Sequence, residues 1–181
     1  KKHLTLDTVP SPVDELDNRA SLVAMPGGHF LVAANTRTAV AGCPQMILMH
    51  SAKAGFGVSG TVVNRFDVGN RPSCVWGGQG LAVAGDGKIL AGATVVRDKA
   101  YAGVVRLTAQ GAVDKSFHGD GYSLLSVGSG LVARALQWRN AKVVQAGYTL
   151  TPGGMRPFVI RLNDDGSPDA QFGVGGATLL D

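Results

Sequence analysis

Two stretches of this chain line up with each other without a gap. The first runs from Val104-Val105-Arg106-Leu107 through Asp114, Phe117 and Gly121. The second runs from Val159-Ile160-Arg161-Leu162 through Asp169, Phe172 and Gly176, each residue 55 positions after its counterpart. A period of that size marks a supersecondary unit that cannot bury its own apolar face and stacks on copies of itself.

The units read as short strands joined by tight turns. In the second, the expected strands are 80–84, 88–92, 102–107 and 122–126. Asp86-Gly87 and Gln110-Gly111 are the turn signals, because such pairs accept the positive φ of hairpin turns. The third repeats this order over 134–138, 142–148, 158–162 and 177–180, with Asn140-Ala141 and Asp165-Gly166 as turns and a loop holding Pro152-Gly153-Gly154. The first is degenerate but in phase over 21–25, 30–34, 46–49 and 60–63, and lacks a segment matching 112–116. Runs such as Val104-Val105 and Val143-Val144 suit strands covered on both faces. A helix over 131–139 is the weaker reading, because its counterpart segment carries glycine. Glycine (26 of 181 residues) and eight prolines fit many turns, and 45% apolar residues argue against disorder.

The expectation is an all-β, propeller-like domain of three four-stranded antiparallel blades, half a propeller, within residues 1–181. The blades fall at about 19–70, 73–129 and 130–181, after an N-terminal strand and linker over 1–18. Within that segment Leu4-Thr5-Leu6-Asp7 resembles the fourth strand of a unit. Closed propellers hold roughly four to eight blades, so three leave bare sheet faces. A homodimer completing a six-bladed ring, or neighbouring repeats of a longer chain, would cover them.

Asp86-Gly87-Lys88-Ile89-Leu90-Ala91-Gly92, then Arg106-Leu107, Gly111, Asp114, Phe117 and Gly121, resemble the delta-60 bacterial repeat. Arg161-Leu162, Gly166, Asp169, Phe172-Gly173 and Gly176 repeat the pattern. The resemblance is good over 73–181 and degenerate over 19–70. It implies β-propeller-like blades and often an exported setting, extracellular or periplasmic, and no particular reaction.

The recurring residues read as structural. Arg106 with Asp114, and Arg161 with Asp169, flank one turn each and suit an Arg–carboxylate lock. The first unit has Leu48 where the arginine should stand, and it has lost the Asp-bearing segment. Phe117 and Phe172, with Phe56 as the first-unit equivalent, suit plugs between sheets. Up-and-down strands send Arg37, Arg97, Lys99 and Arg156 to one end from inner loops, and Arg19, Arg71 and Arg134 there from connections. With a net charge of +4, that end is the candidate ligand surface for a protein or an anionic ligand such as a glycan. Cys43 and Cys74 fall at the same end and form a disulfide candidate suited to an oxidising compartment.

Other motifs lack their context. Gly128-Ser129-Gly130-Leu131-Val132-Ala133 matches a dinucleotide pattern, but a Rossmann unit needs a long crossover helix. Asn163-Asp164-Asp165-Gly166 lacks the chelating set of a calcium loop, and no G-x-S-x-G elbow occurs. His3, His29, His50 and His118 are scattered, and Trp76 and Trp138 read as core or rim packing. Neither metal nor cofactor is expected, nor nucleic acid as a partner. No apolar run reaches the roughly 18 residues of a membrane helix, and Lys1-Lys2-His3-Leu4 opens no signal-peptide core. The function expected is a non-catalytic binding or scaffold module; the alternative is a hydrolase or lyase with a pocket where the blades converge.

Overall fold

The computed structural model describes residues 20–35, 44–52, 54–64, 66 and 73–180. These hold three antiparallel sheets and no α-helix. The first sheet is β1 (Ser21–Met25), β2 (His29–Asn35), β3 (Met46–His50) and β4 (Thr61–Asn64), in sequence order. The third is β10 (Ser129–Arg139), β11 (Lys142–Thr151), β12 (Gly154–Asn163) and β13 (Ala177–Leu179), likewise in order. The chain is all-β, with meandering blades of the propeller type. Leu4-Thr5-Leu6-Asp7 lies outside the described residues.

The second sheet has five strands, one more than expected. Its inner strand is split into β5 (Cys74–Trp76) and β6 (Leu81–Val83), both paired with β7 (Ile89–Val96). β8 (Ala100–Leu107) and β9 (Tyr122–Leu125) complete it. The split has a packing cause. Gly80 lies at φ +143°, and a Cβ there would stand 2.4 Å from the Leu136 backbone nitrogen. The third blade therefore comes too close for a regular strand with side chains.

In the third blade β11 and β12 run longer than expected. They pair from Lys142↔Asn163 to Thr151↔Gly154, so Pro152-Gly153 is a two-residue turn and not part of a wider loop. Thr149, Leu150 and Thr151 favour extended backbone and carry β11 on to that turn.

The cores lie between sheets. Leu31, Met46, Leu48 and Phe56 of the first blade pack with Ile89, Ala93, Val105 and Leu107 of the second. Leu90, Val104 and Phe117 of the second pack with Leu131, Phe158, Ile160 and Leu162 of the third. β7 and β8 thus bury both faces, which explains their near-continuous apolar sequence. Polar groups also cross these joints. The Asn35 side chain accepts from Gly77 N (2.6 Å), Thr94 Oγ1 from Ala133 N (2.9 Å), and Gln145 Nε2 donates to Gly103 O (3.3 Å).

Candidate functional site

Two ends of the stack carry charge. At the end holding the β6–β7 and β10–β11 turns, the recurring residues meet. Arg106 Nε donates to Asp114 Oδ2 (2.8 Å), another guanidinium nitrogen donates to Ser116 Oγ (2.9 Å), and the guanidinium lies 4.8 Å over the Phe117 ring. A third nitrogen donates to the Asp164 carbonyl of the next blade. Arg106 therefore joins its own hairpin and the joint between blades.

Burial pushes the Asp114 carboxyl up, but the Ser116 hydroxyl and N–H bonds and the Arg106 charge outweigh it. They hold its pKa at about 2. The third blade repeats the geometry. Arg161 Nε donates to Asp169 Oδ2 (2.8 Å), and its guanidinium lies 4.6 Å over Phe172. The Asp169 carboxyl is also held low, first by a hydrogen bond from Lys142, against burial, and then by the Gln171 N–H and Arg161.

Lysine is the partner that sequence reasoning missed. Lys88 Nζ stands 3.4 Å from Asp114 Oδ2, and Lys142 Nζ stands 3.0 Å from Asp169 Oδ2. The signal was present, since both lysines follow the inner turn of their units in the same phase. The first blade differs from expectation. Leu31 pairs with His50 where Leu90 pairs with Arg106, so His50 and not Leu48 is the counterpart of the arginine. His50 stacks at 5.4 Å on Phe56, and His29, in the lysine position, stands 5.8 Å from His50. Leu48 points into the core. The expected position lies two residues out because this unit offers no Arg-to-Asp signal to anchor the register.

Residues 84–117 and 142–172 match the family model described as "Domain of unknown function (DUF5122) beta-propeller". The repeat is of the β-propeller type. The comparisons with curated proteins and with solved structures returned no match. Each matched segment covers part of one repeat, from the start of its second long strand or the turn just before it to its Phe, and so contains the Lys, Arg, Asp and Phe of one cluster.

A cavity of about 200 Å³ opens beside the second-blade cluster of this propeller repeat, lined by Asp86, Lys88, Arg106, Trp138 and Asp164 among others. Trp138 Nε1 donates to Asp164 Oδ1 (3.2 Å), which ties one wall together.

The opposite end holds the inner loops and the connections between propeller blades. Arg97 Nε donates to Ser73 Oγ (2.7 Å) and another of its nitrogens to the Phe66 carbonyl (2.9 Å), so its guanidinium fastens the first-to-second connection to the β7–β8 loop. Ser126 Oγ donates to Ala100 O (3.0 Å) across the next connection. Lys99 is exposed, with Nζ 5.4 Å from the Tyr101 ring centroid. Arg156, expected in a loop, lies in β12 close to its turn, and its Nε donates to Leu180 O (3.3 Å). Arg134, expected in a connection, lies within β10, where it stacks at 5.1 Å on Tyr148 and donates to its hydroxyl (2.8 Å). Arg37, Arg71, Arg19 and Cys43 lie outside the described residues. Cys74, expected in the connection, begins β5 and is disulfide-bonded.

Among the described residues no group of three or more His, Cys, Asp or Glu converges as a metal site. No helix there is long and apolar enough to cross a membrane.

Proposed function

We propose that this propeller-type domain is a non-catalytic binding or scaffold module, recognising a protein or an anionic ligand such as a glycan at its basic loop end. The observation that carries this reading is the division of labour between the charges. Arg106, Asp114, Arg161 and Asp169 are engaged in holding hairpins and blade joints. The loop end gathers cations from successive blades, with Lys99 exposed and Arg156 partly so. Arg97 contributes by holding the loop that presents Lys99, and Arg37, Arg71 and Arg19 are the cations that the sequence adds to this candidate surface. A disulfide between Cys43 and Cys74 would brace this end and suits an exported, extracellular or periplasmic protein.

The test is titration with heparin as the anionic probe. Binding that weakens with salt, and is lost on changing Arg37, Lys99 and Arg156 together to alanine, is expected. Retention of full binding in that triple variant would overturn the assignment of the site.

One observation favours the second reading, a hydrolase or lyase. The cavity beside Arg106 and Trp138 lies between two blades and presents Asp86 and Lys88. Its volume is below the roughly 300 Å³ at which small-molecule sites begin. The Lys88 N–H bond also holds Asp86 in its ionised form. Turnover of generic ester or glycoside substrates, abolished in Lys88→Ala, would put this reading first.

The outer faces of the first and third blades suit either a second copy completing a six-bladed ring or neighbouring repeats of a longer chain.

A further inference from the structure

The two joints between blades are copies of one device. Phe56 lies on Gly111, where an added Cβ would stand 3.0 Å from its ring, and Phe117 lies on Gly166, where the distance would be 2.9 Å. Beside each ring a backbone N–H crosses the joint, Gly57 to the Gln110 carbonyl (2.9 Å) and His118 to the Asp165 carbonyl (2.6 Å). The repeat defines the next donor as Phe172 with Gly173. It defines the acceptor of the first blade as Gly55 with Ala54, because that unit lacks the segment between the glycine and the phenylalanine.

Among the described residues both halves stand open. Phe172 is half-buried, whereas Phe56 is 2% exposed and Phe117 is fully covered. Val174, two residues on, is 90% exposed. Gly55 has φ +73°, close to the +86° of Gly111 and +85° of Gly166, yet a Cβ there would meet nothing within 4 Å. The sheet faces behave alike. Val144, Val159 and Arg161 occupy the register at which Leu90, Val104 and Arg106 are buried by the following blade. On the first blade, Leu22 and Val32 pair on the face turned away from the second, as do Ile47 and Val63. Leu22 and Val63 are respectively 68% and 49% exposed.

We infer that these two faces meet in a second copy of this chain. Two protomers join head to tail about a two-fold axis, each Phe172 seated on the partner's Gly55. Each Gly173 N–H then donates to the carbonyl of the partner's Ala54. One chain carries both the unfilled plug and the unfilled socket, so a single heterologous joint, made twice, closes under two-fold rotation. Six blades fall within the range of closed propellers, and both apolar faces leave water. This rests on the scaffold reading above and not on its ligand, so heparin binding and self-association can fail separately.

The experiment is light scattering of the chain over a dilution series from about 100 μM. A mass of twice 18.6 kDa is expected, with dissociation raised at least roughly tenfold by Phe172→Arg, by Val174→Arg and by Gly55→Val. Val174→Arg changes a side chain already in water and so leaves the fold intact. An equal mixture of F172R and G55V restores dimers where each variant alone is monomeric, because the mixed pair keeps one intact joint. A wild-type chain that stays at 18.6 kDa throughout, or a dimer that survives all three substitutions, overturns the inference.

Discussion

Phe117 of the second blade rests on Gly166 of the third so closely that a Cβ on the glycine would stand 2.9 Å from three ring atoms. Gly166→Ala would therefore combine a positive-φ penalty with overpacking and cost about 2–4 kcal/mol. Gly119→Ala serves as a control, since Gly119 has φ +84° but open space where the Cβ would go. It is expected to lose only about 1 kcal/mol. Urea unfolding of the two variants checks this, and equal losses would deny the ring its role.

Asp114 links stability to acid. Its folded pKa, about 2, lies below the ordinary value of 3.8. A depressed carboxyl contributes its full stabilisation above the ordinary value and loses it as pH falls through the folded one. Unfolding free energy should thus decline from about pH 4 towards pH 2. Asp114→Asn would be less stable at pH 7 by about 3 kcal/mol, because Arg106 is left buried without its carboxylate, and its acid limb would be flatter. Denaturant curves at three pH values measure both effects.

Arg97→Lys separates fastening from ligand attraction. Lysine keeps the charge but cannot reach Ser73 and the Phe66 carbonyl with a planar fork. Heparin affinity is expected to change less than twofold by rough estimate, while stability falls by about 1–2 kcal/mol. Unchanged stability would show that the two hydrogen bonds do not hold the connection.

Cys74 is expected to pair with Cys43. Non-reducing peptide mapping should recover the two cysteine peptides joined. Reduction should cost about 2–4 kcal/mol, the usual scale for a closed loop of this size.

The turns and apolar runs made the three-blade plan legible in the sequence. Asp86-Gly87 and Asn140-Ala141 end strands abruptly, and the 55-residue offset carries one unit onto the next. β5 escaped notice because Cys74-Val75-Trp76 is short and runs straight into glycines whose role appears only when Leu136 packs beside Gly80. The extension of β11 and β12 was hidden by Pro152-Gly153-Gly154, which reads locally as loop. His50 could not be matched to Arg106 by residue type, since histidine keeps the stacking on phenylalanine while the carboxylate partner is gone. The shared lysine was readable as a position, but its contact with Asp114 depends on folding the 112–116 segment back over the hairpin. At the loop end, strand order put the β7–β8 loop beside the first-to-second connection, whereas the use of Arg97 depends on where the Phe66 carbonyl points.

The blades are joined by phenylalanine rings seated on glycines of the following blade. Nuclear Overhauser contacts in the labelled protein report on this seating. Contacts are expected from the Phe117 ring to the Gly166 α-protons and from the Phe56 ring to those of Gly111, with ring-current shifts at both glycines. A folded, β-rich protein lacking both sets of contacts would contradict it.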